Sequence, residues 1–193
     1  MTLFKQLALA TALAASVVTS RAALADDAAT ADSIVVLAKH TPGKPTDPVQ
    51  VRFEKFKVVK ATFDPKKIEG GKATLEIDAT SLKTGVDDRD KHLNTPDFLD
   101  TAKFPKITVD IDKVKKKADK TYTAEATVKF RDVTKAFPVT FDVIETKADS
   151  IRIKGQTDFS RLDFKIGKDP KEPKSAPVDT GVTIQVQLTL KKT

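Results

Sequence analysis

The sequence predicts an all-β fold of about eight antiparallel strands, interrupted once by a short helical insert. Three observations carry this. Apolar and polar residues alternate with period 2 in segment after segment, with polar turns between them. Each segment is dry on one face and wet on the other, the antiparallel pattern rather than the parallel one. One stretch, residues 81–100, breaks the alternation with a run of charged residues around Asp87-Asp88-Arg89-Asp90-Lys91.

The segments follow in order. Ser33 to Lys39 is a first strand, and His40 to Pro48, with three prolines and a glycine, is a loop. Val49, Val51 and Phe53 share a face that Phe56 and Val58 continue after a bulge. Ala73, Leu75 and Ile77 alternate with Thr74, Glu76 and Asp78; Ile107, Val109 and Ile111 alternate with Thr108, Asp110 and Asp112. Tyr122, Ala124, Ala126, Val128 and Phe130 form the next dry face, then Phe137, Val139, Phe141 and Val143, then Ile151 and Ile153. Val182, Ile184, Val186, Leu188 and Leu190 close the chain. Strands of this kind stack as a sandwich or close as a barrel, and closure removes the exposed edges. In the insert, Asp87 or Asp88 is the expected helix cap, and acidic residues suit the positive end of the helix dipole. Pro96 ends that helix, and Asn94 or Thr95 starts a second turn. Leu93, Phe98, Leu99 and Phe104 are what the insert offers to the sheet.

Residues 1–25 read as a secretory signal peptide. Lys5 precedes an uncharged run from Leu7 to Val18, and Ala23-Leu24-Ala25 supplies a small-x-small cleavage pattern. The apolar run is too short to span a bilayer. The expected mature domain is residues 26–193, exported, with a bacterial periplasm as the best fit. There is no cysteine, so neither a disulfide framework nor a lipidated cysteine follows. Losing Lys5 and Arg21 with the leader lowers the net charge from +7 to +5, spread along the chain. That charge suits solubility or transient contact with an anionic membrane surface. No basic stripe interleaved with aromatics supports nucleic-acid binding.

Catalytic chemistry finds little footing. There are two histidines and no cysteine. His92 has Asp88 four residues before it, a spacing that brings side chains together on a helix, but no serine sits on a strand–turn–helix elbow. No His-x-x-x-His pair marks a metal site, no glycine-rich loop marks a phosphate site, and no cofactor is implied. The dry face remains. Ala124 and Ala126 in succession, with Ala73 and Ala79, leave volume inside; Phe53, Phe137 and Phe141 are large enough to fill it. A hollow barrel and a filled one both stand at this point.

Ser81-Leu82, Thr84-Gly85, Arg89-Asp90, His92-Leu93 and Asp97-Phe98-Leu99-Asp100, followed by Phe104-Pro105-Lys106-Ile107-Thr108, resemble the central pattern of the YceI-like family. Residues 128–139 and Arg161-Leu162-Asp163-Phe164 resemble its later motifs, so the match spans residues 33–192. The resemblance implies a closed lipocalin-like antiparallel barrel that carries a polyisoprenoid or similar long-chain lipid, without a shared catalytic triad. Three features depart from the family pattern. Residues 51–59 lack a glycine, Arg131-Asp132 stands where glycine is common, and Lys165 follows Phe164 where glycine would. The rim and the first loops are therefore expected to differ.

The expected ligand contacts come from the dry faces and the insert. They are Phe53, Phe56, Leu75 and Ile77; Leu93, Phe98 and Leu99; Ile107 and Val109; Tyr122, Ala124, Ala126 and Val128; and Phe137, Phe141, Phe164, Ile184 and Val186. Two rival readings accompany the carrier. One is an enzyme acting on an isoprenoid or acyl substrate through His92 and Asp88. The other is a filled barrel acting through its basic surface.

Overall fold

The computed structural model describes residues 31–43, 45, 47–173 and 177–193. The expected signal peptide lies outside them. Ten strands form one antiparallel sheet: β1 (Ser33–His40), β2 (Val49–Phe53), β3 (Phe56–Asp64), β4 (Lys67–Asp78), β5 (Leu82–Lys83), β6 (Lys106–Lys116), β7 (Thr121–Phe130), β8 (Val133–Thr146), β9 (Ser150–Ser160) and β10 (Val178–Lys191). Their order in the sheet is β3-β4-β6-β7-β8-β9-β10-β1-β2-β5. The eight segments expected from alternation are all strands. Ten result because the run from Val49 to Asp64 is broken at Glu54-Lys55 and because the two-residue β5 joins β2.

That break curls the sheet. The two halves of one extended run lie at opposite ends of the strand order, β2 beside β1 and β3 beside β4. The chain itself therefore bridges the seam. The corner is pinned by backbone bonds from Glu54 N to Ser81 O (3.2 Å) and from Asp78 N to Lys55 O (2.9 Å). Farther along the seam, Thr193 N donates to Ala61 O at 2.9 Å, tying the end of β10 to β3. The result is an antiparallel barrel whose dry faces point inward, as period 2 requires.

The insert occupies one end of this barrel. A 3-10 turn at Ala79–Ser81 leads through β5 to helix α1 (Asp87–Leu93), and successive turns return the chain to β6. The helix exists where expected, but its cap does not. Val86 occupies the N-cap position and no side chain caps the helix, so neither Asp87 nor Asp88 does so. Asp90, a residue of the first turn, reaches back instead. Its Oδ1 accepts from Thr84 N at 2.8 Å and from Thr84 Oγ1 at 2.6 Å. The helix is thus held by the loop before it rather than by a residue at its own start. Beyond α1, Phe98 N donates to Thr95 O at 3.0 Å, which forms the second turn after Pro96. Among the described residues, no helix is long and apolar enough to cross a membrane.

Candidate functional site: an apolar cavity inside the barrel

The inward residues leave a cavity of about 410 Å³. This lies within the size range of small-molecule and lipid pockets, roughly 300–1,000 Å³. Its wall is almost wholly apolar. Among the described residues no Asp or Glu lines it, and the ionisable residues at its wall are all basic: Lys39, His40, Lys72, Arg89, His92 and Arg161. Carboxylates are plentiful in the chain, but alternation sends them outward, as with Asp110, which bonds Thr74 and Lys129 on the wet face.

Most residues expected to face the interior line this cavity. Phe53, Leu75 and Ile77 come from β2 and β4, and Ile107 and Val109 from β6. Ala126, Val128, Phe137 and Phe141 come from the β7–β8 hairpin, Phe164 from the turn after β9, and Ile184 and Val186 from β10. From the insert, Leu93, Phe98 and Leu99 reach it, with Phe98 and Leu99 buried. Three expected residues lie elsewhere. Tyr122 and Ala124 belong to a packed cluster with Ala61, Phe63, Ile68, Val114, Val143 and Ile151 at the end opposite the insert; Phe63, Ile68, Val114 and Ile151 of that cluster also line the cavity. Phe56 sits just after the kink and packs against the main core without lining the cavity. Alternation assigns a face, not a height along the barrel, and height decides whether an inward residue meets space or other side chains.

The pair proposed for catalysis is not assembled. Asp88 is 94% exposed and lies 3.4 Å from Lys91 Nζ. His92 packs its ring on Phe98, centroids 4.8 Å apart, and Asp88 makes no bond to it. Among the described residues, no group of three or more His, Cys, Asp or Glu side chains could hold a metal ion.

Sequence reasoning also placed His40 wrongly. It is the last residue of β1, not part of the proline-rich loop, and it lines the cavity. Its Nδ1 donates to Asp47 Oδ1 at 2.6 Å, and its backbone N donates to Asp47 Oδ2 at 3.1 Å. The signal was present: Ile34, Val36, Ala38 and His40 continue one period-2 face.

The insert end is held by two arginines, one buried and one half-buried, bonded to backbone carbonyls. Arg161 is 5% exposed. Its guanidinium donates to Ile166 O (2.6 Å), Lys168 O (2.7 Å), Val178 O (2.9 Å) and Asp179 O (2.9 Å). Burial pushes its pKa below the usual arginine value, while Asp169 and Asp179 oppose that shift. Gly167 leaves room for it, since a Cβ there would come within 2.8 Å of Arg161 Nη1. Arg131 Nη1 donates to Phe98 O (2.8 Å) and Lys165 O (2.7 Å), and Lys165 Nζ meets Asp132 Oδ2 at 2.5 Å. Arg131 and Lys165 both have positive φ, 55° and 58°. That conformation explains why glycine suits these two positions. Here side chains occupy them and tie the β7–β8 turn to the insert and to the turn after β9.

An antiparallel sheet curled into a barrel around an apolar cavity is the architecture of the lipocalin-like class of folds. Within that class, the chain belongs to the YceI-like family: the YceI-like domain pattern matches residues 25–190. Protein YceI of Escherichia coli O6:H1 is 45% identical over 58 residues, an alignment covering 30% of each chain. UPF0312 protein YE1254 of Yersinia enterocolitica is 38% identical over 81 residues, 42% of this chain and 41% of that one. The aligned part thus spans well under half the length of these relatives. Among solved structures, BcnA of Burkholderia cenocepacia superposes with a TM-score of 0.72 at 19% identity, covering 83% of this chain and 96% of that one. A polyisoprenoid binding domain from Saccharophagus degradans, implicated in plant cell wall breakdown, gives 0.65 at 17% identity, covering 85% and 95%. At such identities the likeness is one of fold.

Proposed function

We propose that this protein is an exported, periplasmic carrier that holds a long-chain amphiphile, a polyisoprenoid or similar lipid, inside the barrel. The observation that carries the reading is the cavity: about 410 Å³, apolar on nearly all sides and, among the described residues, free of carboxylates. An apolar tail gains about 0.8 kcal/mol per buried CH₂, so affinity should rise roughly fourfold per carbon until the space is full. The lipid tail would run along β6, β7 and β10, with Leu93, Phe98 and Leu99 shielding it at the insert end. Membership of the YceI-like family and the fold shared with a polyisoprenoid binding domain support the choice of ligand class. Export rests on the leader read in residues 1–25.

Native mass spectrometry of protein purified from its own host tests this. A retained lipid, recovered chemically unchanged, is the expected result. No lipid under any condition supports a filled barrel instead. Turnover of an isoprenoid phosphate or acyl amide that vanishes in His92→Gln would replace the carrier with an enzyme.

A further inference from the structure

Lysines that are scattered in the sequence meet at one end of the barrel, opposite the insert. Three turns and the end of the last strand converge there. Lys66 and Lys67 lie in the β3–β4 turn. Lys115, Lys116, Lys117 and Lys120 lie in and beside the β6–β7 turn. Lys147 lies in the β8–β9 turn, and Lys191 and Lys192 end β10. Backbone bonds hold the set together: Lys192 N donates to Asp149 O at 2.9 Å, and Val143 N donates to Lys120 O at 2.8 Å. All nine lysines are exposed, against seven acidic residues at the same end, Asp32, Asp64, Glu69, Asp119, Asp142, Glu145 and Asp149. Only Lys147 is ion-paired, to Glu145 at 3.0 Å. Among the described residues the other eight have no ion pair, while lysines along the barrel wall, such as Lys57, Lys106 and Lys129, do. At the opposite end, residues 78–106 carry six aspartates against five Lys and Arg, close to neutral. Charge that looks evenly spread along the chain is therefore polarised in space.

We propose that this lysine-rich end is a docking surface for an anionic phospholipid bilayer, which extends the carrier reading by giving the barrel a place to meet its lipid. Lysines at the tips of adjacent turns can face one plane together, and each lysine near an anionic membrane surface contributes about fivefold in affinity. Ile144, one of the exposed large hydrophobic residues, lies on β8 three residues before Lys147 and adds an apolar contact at head-group depth. Nucleic acid fits this surface less well. The turns hold no arginine and no exposed aromatic on which a base could stack.

Flotation with vesicles of phosphatidylcholine, with and without about one-third phosphatidylglycerol, tests the proposal. The expected result is binding to the anionic vesicles only, abolished by about 0.5 M salt. Replacing Lys115, Lys116, Lys117 and Lys120 with Gln should weaken vesicle affinity by about a hundredfold or more. Circular dichroism and retained lipid should be unchanged in that variant. Lys83→Gln with Lys103→Gln, at the other end, should bind vesicles as the parent does. Equal binding to neutral vesicles, undiminished binding by the four-lysine variant, or tighter binding to a DNA duplex than to anionic vesicles would overturn the proposal. Vesicle binding by a protein that never holds lipid would leave the docking surface standing and remove the carrier. Retained lipid with no vesicle binding would do the reverse.

Discussion

The two ends of this barrel are closed by different chemistry. The insert end is covered by loops and turns, whose backbone carbonyls, with those of Val178 and Asp179 at the start of β10, take donors from side chains. Arg161 and Arg131 supply those bonds, six carbonyl contacts between them. The lysine end is closed by residues of the strands themselves, whose backbone is already bonded in the ladders. It needs packing alone: Phe63, Ile68, Val114, Ile151 and Phe141 line that end of the cavity, and the Tyr122 ring stacks on Phe141, 5.8 Å apart. A carbonyl taken out of water must find a donor wherever it lies, so a cap made of turns draws on side-chain donors and an end closed by strands does not.

Breaking the polar cap should have the largest effect. Arg161→Met removes the donor from four part-buried carbonyls and should cost about 3–5 kcal/mol, read by urea unfolding. Hydrogen exchange should rise first in residues 161–168 and 178–181. A cost below about 1 kcal/mol would mean that these carbonyls find water instead and that the two ends are not so different.

The packing around Ala124 should respond to bulk where the cavity does not. Ala124→Phe inserts a ring into the packed cluster and should cost about 1–3 kcal/mol. Ala126, two residues on along the same face, lines the cavity. Ala126→Phe should therefore be tolerated with a smaller loss of stability, while displacing lipid in native mass spectrometry. Equal costs at the two positions would erase the distinction between the hollow and the filled parts of the barrel.

The smallest effects separate the aspartates of the insert. Asp90→Ala strands the Thr84 amide and should cost about 1–3 kcal/mol. Asp87→Ala and Asp88→Ala, which cap nothing, should each fall within about 0.5 kcal/mol of the parent. Burial works to raise the Asp90 pKa, but the bonds from the Thr84 hydroxyl and amide, with Lys83 nearby, hold it below the usual aspartate value. A carboxyl whose folded pKa is depressed stabilises the protein above its unfolded pKa of about 3.9 and loses that contribution as pH falls through the folded value. The gap between the parent and Asp90→Asn should therefore narrow in acid, a trend that thermal unfolding across pH would show.

Much of the architecture was legible in the residues. Val109, Ala126, Val128, Ile184 and Val186 face inward because period 2 leaves a strand residue no other choice once its neighbours are polar. The insert was legible as well, since charged residues at helical spacing cannot sit in a half-buried strand. His40 was missed by stopping β1 one residue early, at the start of a proline-rich stretch that looked like loop throughout. The cap of α1 was missed because a helix start offers several acidic candidates. Which of them bonds depends on where the preceding loop passes, and here that loop brings Thr84 to Asp90.

By itself, the sequence determined the antiparallel sheet, its dry and wet faces, the position of the insert and the family pattern. All of these follow from local periodicity and short motifs. Tertiary structure alone decided that Ala126 meets a cavity while Ala124 meets packed side chains, that Arg161 is buried among carbonyls, and that lysines more than a hundred residues apart share one end. Each of these depends on distances between strands remote in sequence, and residue order carries no such distance until the sheet has curled.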